Sequence, residues 1–219
     1  PPRSTLFPYT TLFRSHQLNR LVHALFAAGC QEDTAILFCA DHGDMLYDHG
    51  LVAKSLPYEP SARIPFFLRC PRAWGMQAGT TVDAPVELRD VLPTLCDLAD
   101  VPVPDSIEGR SLLPFCRGEQ PDWRTHLHGE HTAGDLSNHW IVDREWKYAW
   151  FSQTGREQLF HLAEDPREEH DLAGKRPAKL AEFRSRLIEE LRDREEGFVV
   201  DGALRPGAPV KSILNHLQG

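Results

Sequence analysis

The chain has 219 residues, enough for one large domain or two small ones, and its 41% apolar and 26% charged residues are the proportions of an ordinary globular protein. A formal net charge of −8, a pI near 5.8 and the lack of a basic stripe argue against nucleic acid as the main partner. No apolar run approaches the roughly 18 residues needed to cross a membrane.

In chain order, residues 17–28 place Leu18, Leu21, Val22, Leu25 and Phe26 on one helical face, with Gly29 as a stop. Residues 34–40 (TAILFCA) form a continuous apolar run, which predicts a strand buried on both faces of a sheet. Residues 64–69 (IPFFLR) predict a second strand, with Pro65 at its start or on an edge. Leu88, Val91, Leu92, Leu95 and Leu98 predict a helix that starts near Asp90, so that Pro93 falls in the first turn. GEQPD (118–122) reads as a boundary. Beyond it, residues 139–143 and 146–151 predict a hairpin around Arg144 and Glu145, and 158–162 a further strand. Residues 178–194 predict an amphipathic helix with Leu180, Phe183, Leu187, Ile188 and Leu191 inward. The class is α/β, with a small antiparallel sheet and a packed helix near the end.

Five scattered cysteines (Cys30, Cys39, Cys70, Cys96, Cys116), with no CxxC pair, read as buried free thiols. They lean toward a reducing, cytoplasmic compartment. A periplasmic or secreted location stays open.

The chemistry is concentrated in Cys39–Arg63, CADHGDMLYDHGLVAKSLPYEPSAR. Asp41 and His42 directly follow a predicted strand, where open α/β sheets place their ligands, and both side chains can hold a divalent cation. Gly43 would let the backbone turn sharply beside them. Alone, Asp-His-Gly is better read as a polar turn ending a strand.

The wider pattern is more specific. ADHGDMLYDHGLVAK, then PYEPSARIPFFLRCP, DVLPTLCDLADVPVPDSIEGRSLLP, Lys147-Tyr148 and QLFHLAEDPREEHDLA together resemble the sulfatase family of the alkaline phosphatase superfamily, over roughly residues 17–196. The resemblance implies the C-terminal part of a sulfatase-like α/β sandwich at 16–118, a smaller subdomain at 119–200 and a tail at 201–219. It implies a sulfuric ester hydrolase, arylsulfatase-like, acting on a small sulfated or phosphorylated ester. Asp41 and His42 correspond to metal ligands, and Lys54 to the lysine that contacts the sulfate and the leaving-group oxygen. His49 and His131 are candidates for the substrate-binding rim. Glu59 and Arg63 read as anchors of the loop, and Tyr58 equally as pocket wall or packing. Calcium is the favoured metal, with manganese second because His42 offers nitrogen where some members carry Asn. His126, His128 and His131 (HLHGEH) could also form a separate metal site, since i and i+2 share a strand face.

The family's nucleophile is a formylglycine made from the Cys or Ser of C/S-x-P-S-R, and no such motif occurs in these 219 residues. The expectation is a fragment whose parent is an enzyme and which is inactive alone. A phosphonate monoester or phosphodiester hydrolase of the same superfamily, or a non-catalytic protein keeping the fold, are the alternatives. Residues 5–15 (TLFPYTTLFRS) resemble a translated sequencing adapter, so 1–15 is set aside and native sequence is expected from about His16.

Overall fold

In a computed structural model, the described residues are 8–132 and 134–209, with side chains from Ser15 onward. Residues 1–7 of the adapter-like segment and 210–219 of the tail lie outside them. The chain separates into two compact units that are not continuous in sequence. Of the described residues, the first comprises 8–40, 65–82 and 88–121; the second comprises 41–64, 83–87, 122–132 and 134–209.

In the first unit, helix α1 (Pro8–Ala27) runs through the predicted 17–28 helix and begins earlier. Strand β1 (Ile36–Cys39) pairs antiparallel with β2 (Phe66–Arg69), Ile36 opposite Arg69 and Cys39 opposite Phe66. Phe38 stacks on Phe67 across this pair, with ring centroids 4.7 Å apart. The expectation that β1 is buried on both faces is not met. All four of its residues are half-buried, because among the described residues its sheet has two strands. Helix α1 likewise leaves Leu21 and Phe26 largely exposed, at 65% and 59%.

Helix α3 (Val91–Leu98) begins one residue after Asp90, as Pro93 requires, following a 3-10 turn. It is pinned by polar contacts. The buried Asp90 accepts the Arg110 N–H at 2.9 Å, while Thr94 donates to the Asp90 carbonyl (2.6 Å) and accepts the Leu112 N–H (3.0 Å). Its predicted inner face is not closed, since Leu92 and Leu95 are each 46% exposed. A one-turn helix, α4 (Leu113–Cys116), follows. All five cysteines are free thiols, but Cys30 is exposed and the others half-buried rather than buried.

The second unit contains a short helix, α2 (Glu59–Ala62), and a four-stranded antiparallel meander: β3 (Leu127–His131), β4 (Asn138–Val142), β5 (Trp146–Phe151) and β6 (Glu157–His161). The predicted hairpin is present. Asp143 shapes its turn by accepting the Glu145 and Trp146 N–H groups at 3.0 and 2.8 Å. Strand alternation gives the sheet two different apolar faces. Ile141, Tyr148, Trp150 and Leu159 pack with Phe183, Leu187 and Leu191 of helix α5 (Pro177–Leu191), whose Pro177 opens its first turn. Phe198 and Ala208 complete that cluster, around a small hairpin of β7 (Val199–Val200) and β8 (Ala203–Leu204). Phe151 and Phe160 face the other way and pack with Met45, Leu56 and Tyr58. One sheet face therefore carries the helix, and the other carries the 41–64 segment that holds the candidate chemistry.

Candidate functional site

The 41–64 segment is a strained loop held from below. Leu46, Tyr47, His49, Ala53 and Ser55 all have φ between 45° and 85°, a left-handed conformation that costs a non-glycine residue roughly 1–2 kcal/mol. Such strain persists only where neighbours over-determine it, and it concentrates at functional sites. Here Met45 is fully buried, its N–H donates to the Ala53 carbonyl at 2.6 Å, and the Tyr47 N–H donates to Leu51 at 2.8 Å. Gly43 is required for a reason other than the expected sharp turn. It is not among the positive-φ glycines, but a Cβ there would lie 2.0 Å from the Pro60 carbonyl oxygen. The two limbs of the loop approach backbone to backbone, with the Gly43 N–H donating to Ser61 O at 2.8 Å.

The far limb is anchored by a buried charge cluster. Lys147, on β5 and 1% exposed, reaches Glu59 Oε1 at 2.6 Å and Glu168 Oε1 at 2.9 Å. Glu168 Oε2 also accepts the Glu59 backbone N–H at 2.6 Å. Burial pushes the Glu168 carboxyl above the usual range, and the attraction of Lys147 offsets this only in part. Arg63 sits 3.7 Å from Glu59 but is 77% exposed, so it is Glu59, through Lys147, that ties the loop to the sheet. Tyr58 is packing rather than pocket wall: it is buried, and its hydroxyl donates to Gln158 Oε1 at 2.9 Å.

Three predicted site residues meet on this scaffold. Lys54 Nζ lies 2.8 Å from His42 Nε2, and His42 Nε2 lies 3.6 Å from Asp41 Oδ2. The contacts also set the imidazole tautomer. His42 Nδ1 is 2.6 Å from the Gly43 carbonyl, which can only accept, so Nδ1 carries the proton and Nε2 presents its lone pair. A ring nitrogen tied to a carbonyl is how metal-ligating histidines are oriented, and here the other nitrogen accepts from Lys54 Nζ at 2.8 Å. Asp41 Oδ1 accepts the His42 N–H at 3.0 Å, which leaves Oδ2 toward the same point. A carboxylate oxygen and an imidazole nitrogen at 3.6 Å would fit one divalent cation about 2.2 Å from each once Lys54 Nζ swings off the Nε2 lone pair. They are two donors of the six or so a hard cation takes.

The other candidates lie apart from this group or serve it indirectly. His49 stacks on Tyr58 (centroids 4.3 Å apart), and its Nε2 donates to the Arg167 carbonyl at 3.0 Å, a holding contact. The histidines His126, His128 and His131, a candidate metal trio in the sequence, do not come together. His126 lies 3.3 Å from Glu190, and His131 falls on the opposite face of β3 from His128. His128 instead meets Glu130 and His139, a grouping the sequence reading missed. His139 sits opposite Glu130 in the β3–β4 register, so only that register could have shown it. Burial, helped by His128 and Arg194, holds the His139 pKa down to about 3.

Comparison with known proteins places the chain. The family of N-sulphoglucosamine sulphohydrolase C-terminal regions matches residues 47–197. An arylsulfatase of Clostridium perfringens is 43% identical over 206 residues, covering 93% of this chain and 43% of that protein. A solved structure in complex with its substrate, D-glucosamine-2-N,6-O-disulfate, aligns with a TM-score of 0.78 at 27% identity, covering 85% of this chain and 40% of the other. The phosphonate monoester hydrolase of Agrobacterium radiobacter aligns with a TM-score of 0.69 at 29% identity, covering 80% and 38%. The chain thus spans less than half the length of the proteins it matches. With that match over most of its length and the same fold in its structural neighbours, this chain belongs to the sulfatase family.

Proposed function

We propose that this chain is the part of a metal-dependent sulfuric ester hydrolase that supplies Asp41 and His42 to the metal and Lys54 to the ester. The observation that carries the reading is the convergence of Asp41 Oδ2, His42 Nε2 and Lys54 Nζ at one end of a strained, anchored loop. When bound, a divalent ion, calcium first and manganese second, supplies positive charge against the ester oxygens. Lys54 offers an ammonium where cleavage builds negative charge on the leaving oxygen, which favours the transition state over the ground state. Gly43 and the Glu59–Lys147–Glu168 cluster keep these groups in register.

With no C/S-x-P-S-R sequence to yield a formylglycine, and two metal donors at this point among the described residues, the chain is expected to be inactive by itself. In the parent enzyme, Lys54→Ala should lower kcat/KM on an aryl sulfate by about 100-fold or more, the scale of losing one charge-stabilising donor. Turnover unaffected by that change, or chelator-sensitive turnover by the 219-residue chain alone, would refute the assignment. A phosphonate or phosphodiester ester is the second reading, favoured by the nitrogen donor of His42 and by the hydrolase neighbour. Comparing kcat/KM for phenyl sulfate and a phenyl phosphonate ester decides between them.

A further inference from the structure

A second group of donors lies on the opposite sheet face from the 41–64 loop, away from Asp41 and Lys54. His128 and Glu130 are two apart on the edge strand β3 and so share a face, and the register sets His139 of β4 directly across from Glu130. His128 Nε2 is 3.2 Å from His139 Nδ1, and His139 Nδ1 is 3.4 Å from Glu130 Oε2. All three donor atoms lie within 4.8 Å of one another.

We propose that His128, Glu130 and His139 form a binding site for a divalent transition-metal ion of the zinc class. A proton on His139 Nδ1 can serve only one of its two neighbours well, and 3.4 Å is long for a bond to a carboxylate. The same separations match a four-coordinate ion about 2.1 Å from each donor, for which the donor–donor edges are about 3.4 Å. Two of the three donors are imidazole nitrogens, which select zinc, cobalt or copper over calcium. His139 is buried and packed edge-on against Phe198, so its ring is already oriented. Arg194 Nη2 donates to both Glu130 oxygens, at 3.1 and 3.0 Å, and fixes the carboxylate. Glu196 pairs with Arg194 in turn and offsets its charge next to a cation. The ion would clip the edge strand β3 to β4 and leave at least one coordination position for water or another ligand.

The test uses the full chain stripped of metal and titrated with cobalt(II) alone, then with zinc. The expected result is an intense visible absorption band of four-coordinate cobalt at one equivalent, bleached by zinc. The band should be lost in His128→Phe, strongly reduced in Glu130→Gln and intact in His42→Ala, with far-UV circular dichroism confirming the fold. Glu130 is the most exposed of the three, so its substitution decides the matter if His128→Phe disturbs β3. A wild-type chain that gives no such band, or a band that survives both substitutions, overturns the proposal.

Discussion

Lys147→Met removes the cation from the charge cluster beneath the 41–64 loop and leaves its packing volume nearly unchanged. Lys147 is 1% exposed and the Glu168 side chain is fully buried, so the Glu168 carboxylate cannot be rehydrated in place. Removing one member of a buried ion pair typically costs about 3–5 kcal/mol, because the remaining charge is stranded. With a urea slope of about 2 kcal/mol/M, the midpoint should fall by about 2 M. Tryptophan fluorescence can follow it, since the buried Trp150 lies on the same strand. The pH dependence has a definite sign. Glu168 already has a raised folded-state pKa, so its contribution is fully present below its unfolded value and is lost as pH rises through the folded one. Loss of Lys147 raises that pKa further, so the deficit against wild type should be smallest in acid and grow toward neutrality. Adding Glu168→Gln to Lys147→Met should restore much of the loss at pH 7. A midpoint shift below about 0.5 M at pH 7, or a shift insensitive to Glu168→Gln, would refute the view that a stranded charge is the cause.

Two further outcomes follow from the same unit. Gly43→Ala pushes a methyl group against the Pro60 carbonyl and should destabilise by about 1–3 kcal/mol; an unchanged urea midpoint would mean that the two limbs are not in backbone contact. Glu157 is the acid-sensitive link between sheet and helix. Burial would raise its pKa, but the hydrogen bonds from Arg184 (two at 2.6 Å) and from the Tyr148 hydroxyl (2.6 Å) outweigh it and hold it low. Its stabilisation is present above its unfolded pKa of about 4.3 and is lost as pH falls through the lower folded value. Urea midpoints measured between about pH 5 and pH 3 should fall less steeply in Glu157→Gln than in wild type; parallel curves would remove Glu157 from that role.

Local chemistry was legible where one element contains its own explanation. The 3.6-residue spacing of Phe183, Leu187 and Leu191 announces α5, Pro93 sets the start of α3 near Asp90, and Arg144-Glu145 marks the hairpin. Asp41, His42 and Lys54 were singled out through the family resemblance, and the structure brings their side chains together within one loop. Burial was not legible in the same way. The apolar faces of α1 and α3 were expected to point inward, yet Leu21, Phe26, Leu92 and Leu95 remain substantially exposed. Periodicity says which residues share a face, but not whether anything covers it.

What the sequence determined by itself was the family and the secondary structure near the C-terminal end, the first carried by the order of several motifs and the second by spacing within short segments. Only the tertiary structure decided that Lys147 and Glu168 hold Glu59 from across the sheet, that Gly43 serves a close backbone approach, and that His128 answers to His139 rather than to His126 or His131. The physical reason is common to all three. Each depends on strand register and loop return, which bring together residues from 11 to 109 positions apart, and a change of one position in register turns every side chain to the other face.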